Sequence, residues 1–304
     1  MGAGLFIERD VPRSADRADW LAFAGVAILS IAAVTLGGLA GMSWTPAAWK
    51  LGLIPALFLA IAAYYGRFRP GETRLFQIAF YTGLWSALPL AGTQLTFIAN
   101  TLGMPLQNDT FTRMDSAIGF DWSSWGAFVL SHPALLRLTT LAYESHAWQP
   151  FVAVIVLALF GPPRRNAEFV LAMTLALTIT IVISALLPAI EPGHAHGFDT
   201  PAADAMLALR AGQRAGLPYV GIVSFPSFHA AMAVLFTLAY RGLRPAFYPA
   251  AALNGLMLLS VPFSGDHYLV DLLAGIAVAL LALWLARQAL GCAELPGGGR
   301  NSRR

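Results

Sequence analysis

Cysteine and charged residues are both scarce in this sequence of 304 residues. The single cysteine, Cys292, lies in the tail, so the chain cannot build a disulfide framework, a cysteine zinc cluster or a thiolate nucleophile. Only 12% of the residues are charged and 57% are hydrophobic, whereas about a quarter of a soluble domain is charged. Since so few charges cannot cover a water-facing surface, we expect lipid to be the solvent for much of the chain.

The beginning of the chain lacks the pattern of a cleavable signal peptide. No short apolar stretch followed by small residues occurs in the first 17 residues, which are rich in charge. Their charged residues are Glu8, Arg9, Asp10, Arg13, Asp16 and Arg17. We therefore expect no removable leader. The sequence also has no internal repeat and no low-complexity tract beyond a Gly/Arg tail.

Long apolar runs dominate the rest of the sequence. Windows of about 17 to 25 apolar residues are typical of transmembrane helices, and eight such windows are present, the sixth and seventh being short. They run from Trp20 to Met42, Trp49 to Tyr65, Phe76 to Ile98, Leu138 to Phe160, Phe169 to Leu187, Ser224 to Tyr240, Phe247 to Phe263 and His267 to Leu290. The sequence thus predicts an all-α fold, a polytopic transmembrane helical bundle with seven or eight spans.

The distribution of positive charge predicts how these spans are oriented. If the helices alternate in direction, 14 of the 19 Lys and Arg residues fall on one face. These are Arg9, Arg13, Arg17, Arg67, Arg69, Arg74, Arg164, Arg165, Arg241, Arg244, Arg287, Arg300, Arg303 and Arg304. The other face has Lys50, Arg113, Arg137, Arg210 and Arg214. Because cytoplasmic loops carry the excess of positive charge, we expect both termini in the cytoplasm, as in a bacterial-type inner membrane. The net charge of +3 then needs no nucleic-acid partner.

One long stretch between spans, residues 101–137, is predicted to lie along the outer surface of the membrane. Apolar residues recur there at helical spacing, beside two carboxylates. The apolar residues are Ile118, Trp122, Trp125 and Val129, and the carboxylates are Asp115 and Asp121. A structural lid and a site of lipid access both fit this pattern.

Two short motifs at the starts of predicted helices contain the residues best suited to chemistry. The first is Ser224-Phe-Pro-Ser-Phe-His229, and the second runs from Ser260 to Asp271. One helical hairpin separates them, so both return to the same face, the outer one. His267 and Asp271 are four residues apart, which stacks their side chains on one face of a helix. The carboxylate can then bind one imidazole nitrogen and leave the other basic, as a nucleophile or base requires.

His229 complements this pair. It falls in the first turn of its predicted helix, where free backbone N–H groups and the helix dipole favour an anion, and Ser227 adds a hydroxyl donor beside it. Two histidines facing one anion suit a two-step phosphoryl transfer, in which one attacks phosphorus and the other protonates the leaving oxygen. Neither step requires a metal or another cofactor.

At these residues the sequence resembles the type 2 phosphatidic acid phosphatase (PAP2) superfamily. The second motif of that family reads P-S-G-H, and the third reads S-R, five residues, H, three residues, D. Pro226, Ser227 and His229 match the second motif, and Ser260, His267 and Asp271 match the third. The resemblance implies that His267 is the nucleophile that forms a phosphohistidine, Asp271 its orienting partner and His229 the general acid. It also implies phosphate contacts from Ser227 and Ser260, and a lipid phosphate or diphosphate as substrate.

Departures from the family pattern concern the groups that would bind phosphate. Phe228 replaces the glycine of the second motif, Val261 replaces the arginine of the third, and no lysine precedes an Arg-Pro pair on the outer face. In lacking the third-motif arginine, the sequence is similar to the branch of the family that contains inositol phosphorylceramide synthases. Arg210 and Arg214 are the nearest arginines on that face and are expected to bind the phosphate instead, Arg210 foremost. Glu191, in the segment that takes the place of the first motif, is left unexplained.

With this resemblance the chain divides into five segments. They are a cytoplasmic N-terminal segment (1–19), three transmembrane helices (20–100), the outer interfacial segment (101–137), a PAP2-like catalytic core of six helices (138–290) and a cytoplasmic tail (291–304). The predicted function is hydrolysis of a lipid phosphate at the outer, periplasmic face. A phosphotransferase that moves a phospho-headgroup, such as inositol phosphate, between lipids is the closest alternative. A non-catalytic transporter or lipid-binding protein is a second.

Two further clusters of polar residues have weaker grounds for a function. His194, His196 and Asp199 could ligate a metal, but a loop without a third fixed ligand is poor evidence for one, so no metal site is predicted. Glu144 and His146 lie inside the predicted fourth span, where ionisable groups are costly and tend to face a polar interior. They either line a cavity for the headgroup or form a structural pair.

Overall fold

The computed structural model describes residues 15–43, 50–198, 200–217 and 220–291, and these residues form twelve α-helices and no β-strand. In chain order the helices are α1 Arg17–Leu39, α2 Leu53–Phe68, α3 Thr73–Asn100, α4 Asn108–Ala117, α5 Trp122–Leu130, α6 Pro133–Glu144, α7 Gln149–Phe160, α8 Arg165–Leu186, α9 Pro201–Arg210, α10 Phe228–Ala239, α11 Arg244–Ser264 and α12 Leu269–Ala289. Two 3₁₀ turns lie at Ser145–Ala147 and Pro192–His196. The predicted all-α fold is confirmed.

Four of these helices, α1, α8, α11 and α12, are long and apolar enough to cross a membrane. Three shorter helices, α2, α7 and α10, are apolar as well. Together with the scarcity of charge, these helices identify an integral membrane protein. The count of seven or eight spans goes beyond the four long helices and stays a prediction.

Helix α3 lies in the middle of the bundle and packs against α1, α2, α7 and α8. Two of its glycines permit this close packing. A Cβ at Gly83 would lie 3.0 Å from the Leu59 side chain, and a Cβ at Gly92 would lie 3.0 Å from the Leu177 side chain. Because other helices cover much of α3, it can carry buried polar residues that a lipid-facing helix could not.

The predicted span Leu138–Phe160 is wrong as a single helix. The chain instead forms α6, the 3₁₀ turn Ser145–Ala147 and α7. Pro150, in the first turn of α7, has no N–H to bond with the preceding turn, so a continuous helix is interrupted here. The Gln149 side chain stabilises the break by donating to Ser145 Oγ at 2.8 Å and to Asn254 Oδ1 at 3.0 Å.

The outer segment 101–137 contains helices α4 and α5 and the first residues of α6, whereas the spacing from Ile118 to Val129 predicts one helix. Helix α4 ends just before Ile118, Gly119 adopts a positive φ of 79°, and α5 begins after Asp121. Asp121 caps α5 by accepting a hydrogen bond from the Ser124 N–H at 2.6 Å. The position of this segment on a membrane surface stays a prediction.

The two motif helices begin later than predicted. Helix α10 starts at Phe228 rather than Ser224, after a cis Phe225–Pro226 peptide bond. Ser227 is its N-cap, and the Ser227 hydroxyl oxygen accepts from the Ala230 N–H at 3.3 Å. Helix α12 starts at Leu269 rather than His267. The motif residues therefore belong to the caps and the loops in front of the helices.

Arginines gather at the end of the bundle where α10 ends and α8 begins. Arg165 Nη1 donates to the Arg241 carbonyl oxygen at 2.9 Å, and Arg241 Nη2 donates to Glu168 Oε2 at 2.6 Å. Arg164 Nε donates to Asp16 Oδ2 at 3.3 Å. Because α10 carries His229 at its other end, these arginines and the motif histidines lie at opposite ends of the bundle.

Candidate active site

Asp271 organises the first half of the site. One carboxylate oxygen, Oδ2, lies 3.2 Å from His267 Nδ1 and accepts hydrogen bonds from Ser224 Oγ at 2.8 Å and from the Tyr268 N–H at 3.0 Å. The side chains of Asp271 and His267 are 0% and 3% exposed. A buried carboxylate at Nδ1 fixes the ring orientation and leaves Nε2 as the nitrogen available for chemistry.

The pairing of His267 with Asp271 is as predicted, but the reason for it differs. His267 precedes α12, with Tyr268 as the N-cap, and Asp271 is the third residue of the helix. The carboxylate therefore turns back over the start of the helix and meets an imidazole in the loop. A stacked pair within one helix was expected and is not what the structure has.

The two motifs are joined directly to each other. The Ser227 N–H donates to the Asp271 carbonyl oxygen at 2.9 Å. Helix α12 approaches this loop so closely that a Cβ at Gly275 would overlap the Ser227 carbonyl oxygen. A glycine is therefore required at position 275, and the cap of α10 and the first turns of α12 form one unit.

His229 forms the second half of the site. It is the second residue of α10, and its ring centre lies 6.2 Å from that of His267. Tyr143 Oη lies 3.1 Å from His229 Nδ1, and the His146 ring meets the His229 ring edge to face at 4.8 Å. The two motif imidazoles thus converge at one end of the bundle.

Tyr143 and His146 reach this position because of the break between α6 and α7. His146 lies in the 3₁₀ turn, and its Nδ1 is 2.8 Å from the Tyr143 carbonyl oxygen. Glu144 is exposed and does not share this environment. The sequence signal for the break was Pro150, which could have shown that the segment turns here and presents its polar residues together.

Helix α4 stabilises the start of α12 through hydrogen bonds that were not predicted from the sequence. Asp115 Oδ2 accepts from the Leu269 N–H at 2.8 Å, and Asp115 Oδ1 accepts from the Val270 N–H at 2.9 Å. These are free N–H groups of the first turn, so a carboxylate from another helix caps α12. Burial raises the pKa of Asp115, and the two N–H donors offset part of this rise. Asn108 adds a bond from Nδ2 to Tyr268 Oη at 3.0 Å.

Two more carboxyl groups surround His267. Asp266 Oδ1 accepts from the Gly193 N–H at 2.7 Å, and burial, together with neighbouring carboxylates such as Glu191, raises the pKa of Asp266 to about 7. Glu191 accepts a hydrogen bond from the Thr200 hydroxyl. Burial raises the pKa of Glu191, while that hydrogen bond and nearby His267 lower it. The surroundings of His267 are therefore acidic, where a phosphate site was expected to be basic.

The other predicted ligands of phosphate lie in different settings. Ser227 is fully buried beside the first turn of α10. Ser260 is buried in α11 and donates to the Met257 carbonyl oxygen at 2.6 Å. Arg214 Nη1 donates to the carbonyl oxygens of Leu209 at 2.7 Å and Gln213 at 2.9 Å. Arg210 Nη1 is buried and has no hydrogen-bond partner among the described residues.

The described part of the chain contains no group of three His, Cys, Asp or Glu side chains that could hold a metal ion. Of the weak metal candidates, Asp199 lies outside the described residues. His196 stacks on Trp122 with ring centres 5.2 Å apart, and Trp122 Nε1 donates to the Pro262 carbonyl oxygen at 2.6 Å. His196 thus takes part in packing α5 over the end of α11.

A cavity of about 460 Å³ opens beside His229. Helices α3, α7, α8 and α10 provide its walls, which include Trp85, Leu88, Phe151 and Met232. His146 and His229 are the ionisable residues of its lining, and His267 is not part of the lining. The cavity therefore meets the site from the His229 side.

A sequence model of the PAP2 superfamily matches residues 109–285, which is more than half of the chain. The match begins inside α4, within the segment that was predicted to be separate from the catalytic core. It concerns the superfamily as a whole, so the branch of inositol phosphorylceramide synthases stays a prediction. No curated protein and no solved structure matches the chain significantly.

Proposed function

The chain belongs to the PAP2 superfamily, and we propose that it is a lipid phosphate phosphatase that works through a phosphohistidine on His267. One observation supports this most. His267 is held by a buried carboxylate at 3.2 Å, and a second imidazole, His229, lies with its ring centre 6.2 Å away. A reacting phosphorus lies within about 3 to 3.5 Å of its nucleophile, and the leaving oxygen lies about 3 Å from its proton donor. The separation of the two imidazole rings leaves room for a phosphoryl group between them.

In the first step, Nε2 of His267 attacks phosphorus and the bond from phosphorus to the leaving alcohol oxygen breaks. Asp271 retains the hydrogen bond to Nδ1 and stabilises the positive charge that develops on the ring. His229 transfers its proton to the leaving oxygen, so the alcohol departs neutral.

In the second step, water attacks the phosphorus of the phosphohistidine. His229, now neutral, accepts the proton of that water, and the bond between phosphorus and Nε2 breaks. Phosphate leaves, and both imidazoles return to their starting states. The chain's own residues therefore supply every proton transfer of the cycle.

The negative charge of the phosphoryl group requires donors. The first turn of α10 offers backbone N–H groups and the Ser227 hydroxyl, which accepts from Ala230 and is free to donate. Of the two predicted cations, Arg210 is favoured, since its Nη1 has no hydrogen-bond partner within the described ranges, whereas Arg214 donates to two carbonyl oxygens.

The site is proposed to lie on the outer face of the membrane, with both termini in the cytoplasm. The arginines around Glu168 lie at the end of the bundle away from the histidines. Positive charge is enriched on the cytoplasmic side of membrane proteins. In a Cys292→Ser background, labelling of single cysteines introduced at Arg113 and at Arg244 with a membrane-impermeant reagent tests this, because only the first should react in intact cells.

A phosphotransferase is the second candidate, and Val261 in place of the third-motif arginine favours it. In that case an alcohol replaces water in the second step, and His229 accepts the alcohol's proton. Incubation of the purified protein with phosphorus-labelled lipid distinguishes the two reactions. Labelled free phosphate indicates hydrolysis, and a labelled new phospholipid indicates transfer.

The proposed activity is tested by phosphate release from phosphatidic acid, polyprenyl diphosphate and phosphatidylinositol in the presence of EDTA. His267→Ala should abolish turnover while the purified protein keeps its elution profile and helical content. His132→Ala is the matched control, since His132 is an exposed histidine of the outer segment. Full activity of His267→Ala, or release from no lipid by the wild type, would overturn the proposal.

A further inference from the structure

The cavity beside His229 is the feature that the proposed mechanism does not use. Helix α3 provides six of its 16 described lining residues, among them Trp85, Leu88, Thr93 and Thr96. These residues lie outside the range 109–285 that matches the superfamily. A cavity built in part by this helix is therefore a property of this chain and is not implied by family membership.

The position of the cavity assigns it a role in the reaction. In phosphoryl transfer the attacking and leaving atoms lie on opposite sides of phosphorus, roughly in line. His267 attacks from its own side, so the leaving oxygen points toward His229, which protonates it. Because the cavity is lined by His229 and not by His267, it extends from the point where the leaving alcohol departs.

The walls of the cavity indicate which kind of alcohol it accepts. Apolar side chains such as Leu88, Phe151 and Leu177 dominate, and apart from the two histidines no ionisable residue occurs in the described lining. Burial of a polyol against such walls would leave its hydroxyl groups without hydrogen-bond partners, which is unfavourable. A hydrocarbon chain gains free energy from the same surface.

The hydroxyl oxygen of Thr180, in the cavity wall, indicates a further property of the alcohol that the cavity accepts. Thr180 lines the cavity and is 0% exposed. Its hydroxyl has no hydrogen-bond partner among the residues that the structure describes. Most buried hydroxyls in helices bond to a carbonyl of the preceding turn, as those of Thr174 and Thr178 do. A ligand oxygen within the cavity would satisfy the hydroxyl of Thr180.

We infer that this cavity binds the leaving alcohol of the substrate, a lipid alcohol whose hydrocarbon chain packs on α3 and whose ester or amide oxygen accepts a hydrogen bond from Thr180. The inference rests on the proposed function, and it holds for hydrolysis and for transfer alike, because the first step is common to both. It makes Thr93 of α3 and Thr180 of α8 specificity residues.

The first test fills the cavity from α3. Thr93→Phe should raise the KM for dioleoyl phosphatidic acid at least about tenfold, since a pocket that loses the room for a methylene group or more discriminates by about 10- to 200-fold. Dihexanoyl phosphatidic acid, with short chains, should keep its KM and kcat within about twofold. Leu75→Phe is the matched control, because Leu75 is an exposed residue of the same helix and should change neither substrate.

The second test removes the hydroxyl of Thr180 with little change of shape. Wild type should prefer ester-linked over ether-linked phosphatidic acid by about threefold in kcat/KM, the value of one net hydrogen bond. Thr180→Val should abolish this preference and leave the rate on the ether-linked lipid unchanged. Polyprenyl phosphate, which carries no such oxygen, should be insensitive to Thr180→Val.

The outcomes separate this inference from the proposed function. Suppose that wild type releases phosphate but Thr93→Phe changes the KM for long-chain and short-chain lipids equally, or changes neither. The cavity then does not bind the hydrocarbon chain, and the inference is wrong while the proposed function stands. If wild type releases phosphate from no lipid, the proposed function fails. Binding can also be measured without turnover in His267→Ala. Phosphatidic acid with brominated chains should quench the fluorescence of Trp85, which is the part of the emission that Trp85→Phe removes. Absence of this quenching would contradict the inference.

Discussion

The two ends of the bundle hold buried charged groups in opposite ways. At the arginine end, Glu168 is paired with Arg241, and Arg165 donates to carbonyl oxygens. At the histidine end, the carboxylates of Asp271, Asp115 and Asp266 accept from hydroxyl and N–H groups. Their donors are neutral groups, and Asp271 Oδ1 has no hydrogen-bond partner among the described residues. The imidazole ring of His267 is the only ionisable group in the described hydrogen bonds of these carboxylates. Charge pairing thus stabilises one end, and an arrangement suited to proton transfer occupies the other.

Of the variants considered at the two ends of the bundle, Asp271→Asn should have the greatest effect on activity. The amide can no longer stabilise a positive His267 ring, and removal of a carboxylate that orients a catalytic histidine costs about 10³- to 10⁴-fold in kcat. The measurement is phosphate release from phosphatidic acid at saturating lipid. A loss of less than tenfold would show that His267 does not depend on this carboxylate.

At the arginine end, Glu168→Gln should reduce stability without reducing activity. The Arg241 side chain loses its ionic partner, but it is 26% exposed, so we expect about 2 kcal/mol rather than the 3 to 5 kcal/mol of a fully buried pair. Thermal unfolding in detergent and kcat are measured together. Glu72→Gln, in the exposed pair with Arg69, is the control and should change neither quantity. A large fall in kcat for Glu168→Gln would contradict the division between the two ends.

Asp115→Asn should affect both stability and activity moderately. An amide accepts fewer hydrogen bonds from the Leu269 and Val270 N–H groups and lacks the charge that favours a helix start, at a cost of about 1 to 2 kcal/mol. Because His267 lies in the loop before α12, we expect kcat to fall as well. Asp121→Asn, which alters the cap of α5, should leave kcat unchanged; equal losses in both variants would show that α4 has no special role.

The smallest expected effect is a change in the pH dependence of stability in Asp266→Asn. Burial raises the pKa of Asp266 to about 7, above the usual value of about 3.9. The folded state keeps the proton between these values and the unfolded state releases it, so stability falls as pH rises from about 4 to 7. Glu191, His267 and Asp271 are the ionisable groups that act on Asp266.

Asn at position 266 can still accept from the Gly193 N–H and tolerates the positive φ of 51° there. As the pH rises from 5 to 8, the melting temperature of the variant minus that of wild type should therefore increase by a few degrees. Parallel melting curves at the two pH values make the measurement. If the two proteins differ in melting temperature by the same amount at pH 5 and at pH 8, Asp266 titrates outside this range.

Local sequence patterns indicate the candidate site residues, whereas long-range contacts determine the surroundings of those residues. The spacing of His267 and Asp271, and the place of His229 at a helix start, could be identified from a few neighbouring residues. The all-α membrane fold follows from apolar runs alone. The Asp115 cap of α12 joins residues more than 150 positions apart, and no local pattern reveals such a partner.

The errors in the predicted helix bounds have a common cause. Hydropathy does not register where backbone hydrogen bonding stops, so the windows ran through the break before Pro150 and through the cap at Ser227. The first error concealed that Tyr143 and His146 meet His229. The cavity beside α3 could not be predicted either, because it depends on how four helices pack.

The phosphohistidine proposed at His267 can be detected by trapping the covalent intermediate. Wild type and His229→Ala are mixed with phosphorus-labelled phosphatidic acid, quenched in alkali and digested, and the labelled peptide is identified by mass spectrometry. We expect label on His267 in the wild type and no label in His267→Ala. The label should increase in His229→Ala if hydrolysis of the intermediate slows more than its formation. Steady turnover with no label on the protein, or label on a residue other than His267, would contradict the proposal.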